Sequence, residues 1–199
     1  MSHVIQYFFA PQSPWAYLGH QRLQTIAAAA GAAIAPMPAD FGRIFAGSGG
    51  LPLSKRAPQR QAYRLVELRR FSQQLDIPLN AEPAFFPVAG DDAARLIIAV
   101  QKHEGNAAAM AFIDSVMQAL WVEQRDIADA TTLAALLAEL GLPAQRLADS
   151  QTPAVQLAYE QNTERAITLG VFGAPTYAID GELFWGQDRL DFVQRRLMA

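Results

Sequence analysis

Residues 8–19, FFAPQSPWAYLG, decide how the chain is read. The two phenylalanines close a run of β-branched and aromatic residues, HVIQYFF (3–9), which favours a strand. Ala10 to Gln12 make a short turn. Ser13 then stands at the N-cap of a helix and Pro14 at its first position, where a missing N–H costs nothing. Trp15, Leu18, Leu23 and Ile26 recur at helical spacing as far as a stop at Gly31. AAIAPMPAD (32–40) follows as a second short strand ending in prolines. The first forty residues are therefore β-α-β.

The far end of the chain has complementary signals. TPAVQLAYEQNTERAITLG (152–170) is expected to be a helix, with Thr152 as N-cap, Pro153 as first residue and Gly170 as stop. PTYAID and ELFWG meet at Asp180-Gly181, a strong hairpin signal. DRLDFVQRRL (188–197) closes the chain as a helix that Asp188 is placed to cap. Between the two ends the texture changes. FGRIFAGSGGLPLSKRAP (41–58) is rich in glycine and proline and is expected to be a loop with at most one helical turn. Gln59 to Asp76 form a helix with a basic face of Arg60, Arg64, Arg69 and Arg70. LNAEPAFFPVAGDD (79–92) is irregular. Helices are then expected over Ala93–His103, Ala107–Val122, Thr131–Leu140 and Ala144–Ala148. Joined, the outer parts run β-α-β-α-β-β-α. This predicts an α/β thioredoxin-like fold over residues 1–40 and 150–199, with an inserted all-helical domain over 41–149 and the active site in the cleft between them.

Composition narrows the function. The chain has 199 residues, 51% hydrophobic and 18% charged, with a formal net charge of -3. That suits a globular protein with a sizeable core. A mildly acidic chain lacks the electrostatic footprint of a nucleic-acid or anionic-membrane partner. No run of about 18–20 uninterrupted apolar residues predicts a membrane span, and no secretory signal precedes the first strand. A cytoplasmic location is the simplest expectation. There are no cysteines, so disulfides, thiolate metal sites and a protein thiol nucleophile are excluded. His3, His20 and His103 stand apart at no metal-ligand spacing, and no metal is expected.

Three segments carry candidate chemistry. A helix N-terminus presents unpaired N–H groups and about half a positive elementary charge, so it favours an anion. Ser13 at that corner is either a plain cap or a hydroxyl donor to a bound anion. In GVFGAPTYAID (170–180) a proline opens a strand after a glycine turn. Pro175 is either an ordinary edge-strand proline or a cis proline that turns the Ala174 backbone towards a ligand. In FWGQDRL (184–190), Gln187 and Asp188 either bind a free amino group or cap the last helix.

Together these segments resemble the 2-hydroxychromene-2-carboxylate isomerase family, which is related to the kappa-class glutathione transferases. The resemblance spans the chain through FFAPQSPWAYLG, PQRQAYRLVELRR (58–70), FFPV (85–88), RDIAD (125–129) and TERAITLGVFGAPTYAIDGELFWGQDRL (163–190), the last being the most specific. It implies a glutathione cofactor. Ser13 would face the thiol, Ala174 and Pro175 the cysteinyl part, and Trp185, Gly186, Gln187 and Asp188 the γ-glutamyl end, with Asp188 on the amino group. A thiol of pKa about 8.5 is mostly protonated at neutral pH, and a hydroxyl beside a helix N-terminus favours its reactive thiolate. The implied reaction is reversible thiolate addition, rotation about the former double bond, and elimination, within aromatic-compound catabolism. An aromatic carboxylate substrate wants cationic partners. Lys55 and Arg56, in the loop, are the leading candidates, with Arg60 beside them and Phe86 for stacking. Family members carry a lysine where this chain has Ala46 and a tyrosine near Phe86, which leaves the native substrate open. A homodimer is implied. The alternatives are a glutathione transferase, which retains the adduct, and a non-catalytic glutathione-binding module.

Overall fold

The computed structural model describes residues 3–199. Strand β1 (Val4–Phe9), helix α1 (Pro14–Ala29) and strand β2 (Ala33–Pro38) form the N-terminal β-α-β unit. β1 and β2 pair in parallel, with Val4 opposite Ala33 and Phe9 opposite Pro38. β2 lies at the sheet edge, where its prolines remove no ladder bond from a further strand. Helix α7 (Pro153–Leu169) leads back to β3 (Thr176–Ile179) and β4 (Glu182–Trp185). The sheet order is β2-β1-β3-β4, with β3 antiparallel to both neighbours. Asp180 and Gly181 both take positive φ, 51° and 87°, as a two-residue type I′ hairpin requires. A 3₁₀ turn (Gln187–Arg189) and helix α8 (Leu190–Met198) complete the frame.

The insertion holds α2 (Phe41–Ser48), a 3₁₀ turn at Leu53–Lys55, and the helices α3 (Pro58–Leu75), α4 (Asp91–Trp121), α5 (Ala130–Glu139) and α6 (Gln145–Ser150). One apolar core runs from the sheet into these helices. Ile5, Tyr7, Leu18, Leu96, Phe112 and Trp121 are all fully buried within it. Tyr7 stacks on Phe9 and on Tyr177, with centroids 4.5 and 5.5 Å apart. The Tyr17 hydroxyl donates to the Pro78 carbonyl at 2.8 Å, tying α1 to the segment after α3.

Several local expectations are corrected. The glycine-rich stretch after β2 holds a two-turn helix, α2. Asp40 caps it by accepting from the Gly42 and Arg43 N–H groups at 2.8 and 3.2 Å. Phe41 and Ile44 bury its inner face against Phe8 and Val171, and Gly49 at φ 74° ends it. A good cap and two buried anchors outweigh poor intrinsic propensity. By contrast, the two helices expected on either side of Gly105 are borne out: α4 is broken at that residue, where φ is 87° and ψ 175°. The Asn106 amide bridges the break, accepting from Gln101 at 3.0 Å and donating to the Ile34 carbonyl at 2.9 Å. Thr152 does not cap α7, because its hydroxyl donates to the Asp149 carbonyl at 2.8 Å instead. Asp188 does not cap α8. It sits inside the 3₁₀ turn, with its carboxylate on the Arg189 guanidinium at 2.7 Å.

Candidate active site

The chain turns sharply from β1 into α1, held by the Ser13 N–H donating to the Ala10 carbonyl at 2.9 Å. Ser13 Oγ accepts from the Ala16 N–H at 3.3 Å, the long end of hydrogen-bonding range. Its hydroxyl proton is not used by that contact and is free to donate. Pro14 has no N–H, and the Trp15 N–H meets no protein acceptor among the described residues. The corner thus presents an available O–H, an unpaired N–H and the positive end of a sixteen-residue helix.

Opposite stands the turn before β3. The Ala174-Pro175 peptide is cis. Neither the N–H nor the carbonyl of Ala174 has a protein partner among the described residues, leaving a short unpaired stretch of backbone at the sheet's end. The Pro175 carbonyl accepts the Gly186 N–H at 2.8 Å, which locks the cis-proline turn to the segment after β4. Gly186 has φ 98° and ψ 148°, a region essentially reserved for glycine. A Cβ there would also lie 2.5 Å from Asp188 Oδ1. Gly173 is equally constrained, since a Cβ would fall 2.2 Å from Trp185 Nε1. Trp185 is half exposed and packs edge-on against Phe172 at 4.8 Å.

Two adjoining cavities open here, of about 800 Å³ and about 340 Å³, sharing Trp15, Arg56, Arg60, Arg64, Ala174 and Trp185 as a common wall. The larger is lined by Ser13 and by apolar side chains that include Phe41, Phe45, Phe86 and Phe172. The smaller is lined by Gly186, Gln187 and Asp188 and, across from them, by Tyr63 and Glu67 of α3. Ser13, Ala174, Trp185, Gly186, Gln187, Asp188, Arg56 and Phe86 are thus gathered around one cleft. Lys55 ends its 3₁₀ turn exposed and lines neither cavity. Gln187 is buried, and Arg22 of α1 donates to its side-chain oxygen at 3.1 Å and to its carbonyl at 3.3 Å. It anchors its loop while lining the smaller cavity.

Arg64, seen in the sequence only as part of a basic face, reaches this cleft from α3. It lines both cavities, with its guanidinium 5.0 Å from the Phe86 ring centroid. Burial, and then the neighbouring Arg56 charge, push its pKa down to about 10. Arg22 is a second group that sequence reading passed over. A usable signal existed for Arg64 alone: Arg60 and Arg64 stand four residues apart, which puts like charges on one face of the expected helix. Among the described residues no group of three His, Cys, Asp or Glu is placed to hold a metal ion, and no helix is long and apolar enough to cross a membrane.

Comparison with known proteins gives the lineage of this architecture. The family model of the DSBA-like thioredoxin domain matches residues 4–198. The 2-hydroxychromene-2-carboxylate isomerase of Sphingobium xenophagum is 30% identical over 201 residues, covering 100% of both chains. The chain belongs to the 2-hydroxychromene-2-carboxylate isomerase family, within the DSBA-like thioredoxin fold. It is therefore an isomerase by family. A solved 2-hydroxychromene-2-carboxylate isomerase structure superposes with a TM-score of 0.82 at 27% identity, covering 98% of this chain and 94% of that one. The cytosolic disulfide reductase DsbM of Pseudomonas aeruginosa, solved with GSH, shares the fold at a TM-score of 0.67 and 19% identity, covering 98% and 100%. Members of one fold thus include a disulfide reductase and this cysteine-free chain. The resemblance expected from FFAPQSPWAYLG and the GVFGAPTYAIDGELFWGQD segment holds over the full length.

Proposed function

We propose that the protein is a glutathione-dependent isomerase of aromatic acids resembling 2-hydroxychromene-2-carboxylate. The observation that carries this reading is the pairing across one cleft of two unused recognition elements. One is the Ser13 hydroxyl at the α1 N-terminus, and the other is the unpaired Ala174 backbone before a cis proline. A peptide-like ligand with an anionic atom suits that combination. The backbone of Ala174 can pair with an extended tripeptide as an added strand would, and the smaller cavity offers Asp188 to an ammonium group. Support also comes from the family relatives and from a protein of the same fold solved with GSH.

Glutathione when bound would supply the sulfur nucleophile, adding to a conjugated carbon of the substrate and leaving again after rotation. The chain's own residues do the rest. Ser13 donates its hydroxyl proton towards the sulfur position, and the α1 N-terminus favours negative charge there, so both select thiolate over thiol. Ala174 and the Trp185–Asp188 segment hold the tripeptide. The phenylalanines of the larger cavity pack an aromatic ring and exclude water.

Incubating the enzyme with glutathione and 2-hydroxychromene-2-carboxylate, and separately with 1-chloro-2,4-dinitrobenzene, tests the reading. Glutathione-dependent isomerisation without net glutathione consumption is expected. Turnover of the chlorinated compound alone would identify a transferase. No calorimetric heat with glutathione and no rise in melting temperature would leave only a non-catalytic module. A cytoplasmic homodimer is part of the same proposal, and light scattering after size-exclusion chromatography measures the dimer directly.

A further inference from the structure

Acidic partners are distributed unevenly over the arginines of this chain. Away from the cleft most are matched: Arg43 with Glu164, Arg69 with Glu82, Arg95 with Asp92, Arg125 with Glu139 and Arg196 with Asp180; Arg165 and Arg195, which are not, are exposed. Arg56, Arg60 and Arg64 face the cleft, and none forms an ion pair with any described residue. Arg60 and Arg64 stand four residues apart on α3, which sets like charges beside one another and costs an isolated helix stability. Arg56 is occupied in part, since its Nε donates to the Leu51 carbonyl at 2.8 Å. Arg60 is exposed. Arg64 differs from both. Its Nη2 is buried and has no hydrogen-bond partner, and its guanidinium lies 5.0 Å from the Phe86 centroid and 6.0 Å from that of Trp121. The nearest acid on its own helix face, Glu67 three residues on, is taken by Arg70 at 2.7 Å. A partly buried cation whose inner donor is idle is costly to keep unless something anionic meets it.

From this geometry we propose that Arg64 is the specificity-determining residue of the substrate site. Its guanidinium receives the carboxylate of an aromatic acid whose ring lies against Phe86 in the larger cavity. Phe86 and Trp121 fix the position of the cation from behind, as stacked aromatic faces do for arginine. A guanidinium fork matches a carboxylate in two parallel hydrogen bonds. Arg56 and Arg60, nearer solvent, draw the anion into the cleft, and Lys55 has no part in holding it. This inference rests on the proposed function, since it assigns the acid group of that same substrate class.

The test uses the full chain and two stable bicyclic probes, chromone-2-carboxylate and its uncharged carboxamide, titrated by calorimetry with and without glutathione. Arg64→Met keeps an apolar stem over Phe86 and removes the charge. It should weaken the carboxylate at least about tenfold, the lower end for a lost charge-assisted hydrogen bond. The carboxamide and glutathione affinities should change less than about twofold, and Arg64→Lys should restore part of the loss. The melting temperature of Arg64→Met should change little, because the apolar stem stays over Phe86 and a partly buried donor without a partner has gone. Equal loss of acid and amide, or no loss of either, overturns the assignment while the proposed function stands. A loss confined to glutathione overturns it too, and moves Arg64 to the tripeptide. If the unmodified protein binds neither glutathione nor the acid, the proposed function itself fails and this inference with it.

Discussion

Replacing Ser13 by alanine separates a cap from a catalytic hydroxyl. As a cap, Ser13 makes one bond, to the Ala16 N–H at 3.3 Å. That length puts its stabilising contribution at the low end for N-caps, about 0.5–1 kcal/mol. In a chain of 199 residues, each kcal/mol moves the melting temperature by about 2–4 °C, so the variant should melt about 1–4 °C lower. The catalytic role is larger. A hydroxyl hydrogen bond to an ionised partner is worth about 1.5–3 kcal/mol, which corresponds to about 1–2 units of pKa on the bound thiol. In the proposed mechanism Ser13 lowers that pKa, so its removal raises it. For a thiol that returns to a pKa of about 8.5, the thiolate fraction at neutral pH, and kcat/KM with it, should fall about 8- to 25-fold. The defect should shrink as pH rises, because the variant recovers its thiolate above the raised pKa. Ultraviolet titration of the thiolate in the complex reads the shift without turnover, and kcat/KM against pH reads its consequence. A Ser13→Ala variant with unchanged kcat/KM at neutral pH and only the small melting shift would mean that the hydroxyl is a cap and nothing more.

Other expectations follow from the packing. Gly105→Ala should lose about 1–3 kcal/mol from backbone strain alone, since φ is 87° and a Cβ there would touch nothing within 4 Å; chemical denaturation measures it, and an unchanged midpoint would refute the backbone geometry given for α4. Gly19→Ala would set a Cβ 2.7 Å from the Tyr177 hydroxyl and 2.9 Å from Gln187 Cβ. Overpacking of about 1–3 kcal/mol should appear together with weaker glutathione binding, because the Gln187 loop has to move. Leu68 is the one residue of α3 that is fully buried. Leu68→Ala should cost about 2–5 kcal/mol and loosen the helix that carries Arg60 and Arg64, lowering the melting temperature and ligand affinity together.

How much of this was legible in advance depended on the range over which each signal acts. The β1-α1 corner was readable because Ser13-Pro14 is a local device: cap and first residue are adjacent in sequence and the helix follows from them. The Asp180-Gly181 hairpin was readable for the same reason. Helix α2 was not, because its stability comes from Phe41 and Ile44 burying against Phe8 and Val171, contacts that glycine content hides. Asp188 was misjudged as a cap because composition cannot distinguish a direct helix start from a 3₁₀ turn before one. At the site, the preference for Lys55 and Arg56 followed loop position. Folding instead turns the 60/64 face of α3 towards the cleft beside Arg56, leaves Lys55 exposed and sends Arg64 inward. A side chain's direction on a helix depends on which face the helix buries, and only Leu68 reveals that for α3.

The absence of cysteine has a consequence for the type of reaction this fold can run here. Thiol–disulfide exchange moves two electrons and needs sulfur on the protein to form a mixed disulfide. With no cysteine in the chain, neither half of that exchange has a protein partner. An isomerisation is redox-neutral, so a ligand thiol that adds and leaves again asks for no second sulfur and no external reductant. What the protein must then provide is a place where a thiolate is stable and a substrate is aligned with it. The features found in the cleft are of that kind: a hydroxyl with its proton to spare, helix N–H groups, unpaired backbone at Ala174, and an arginine without an acid. Each would be a weakness in a fold optimised for stability alone, since unpaired polar groups cost free energy when shielded from water. Their concentration around Ser13, while most arginines elsewhere on the chain meet an acid, is the pattern expected when binding and chemistry set the residues of a cleft and the surrounding core supplies the stability.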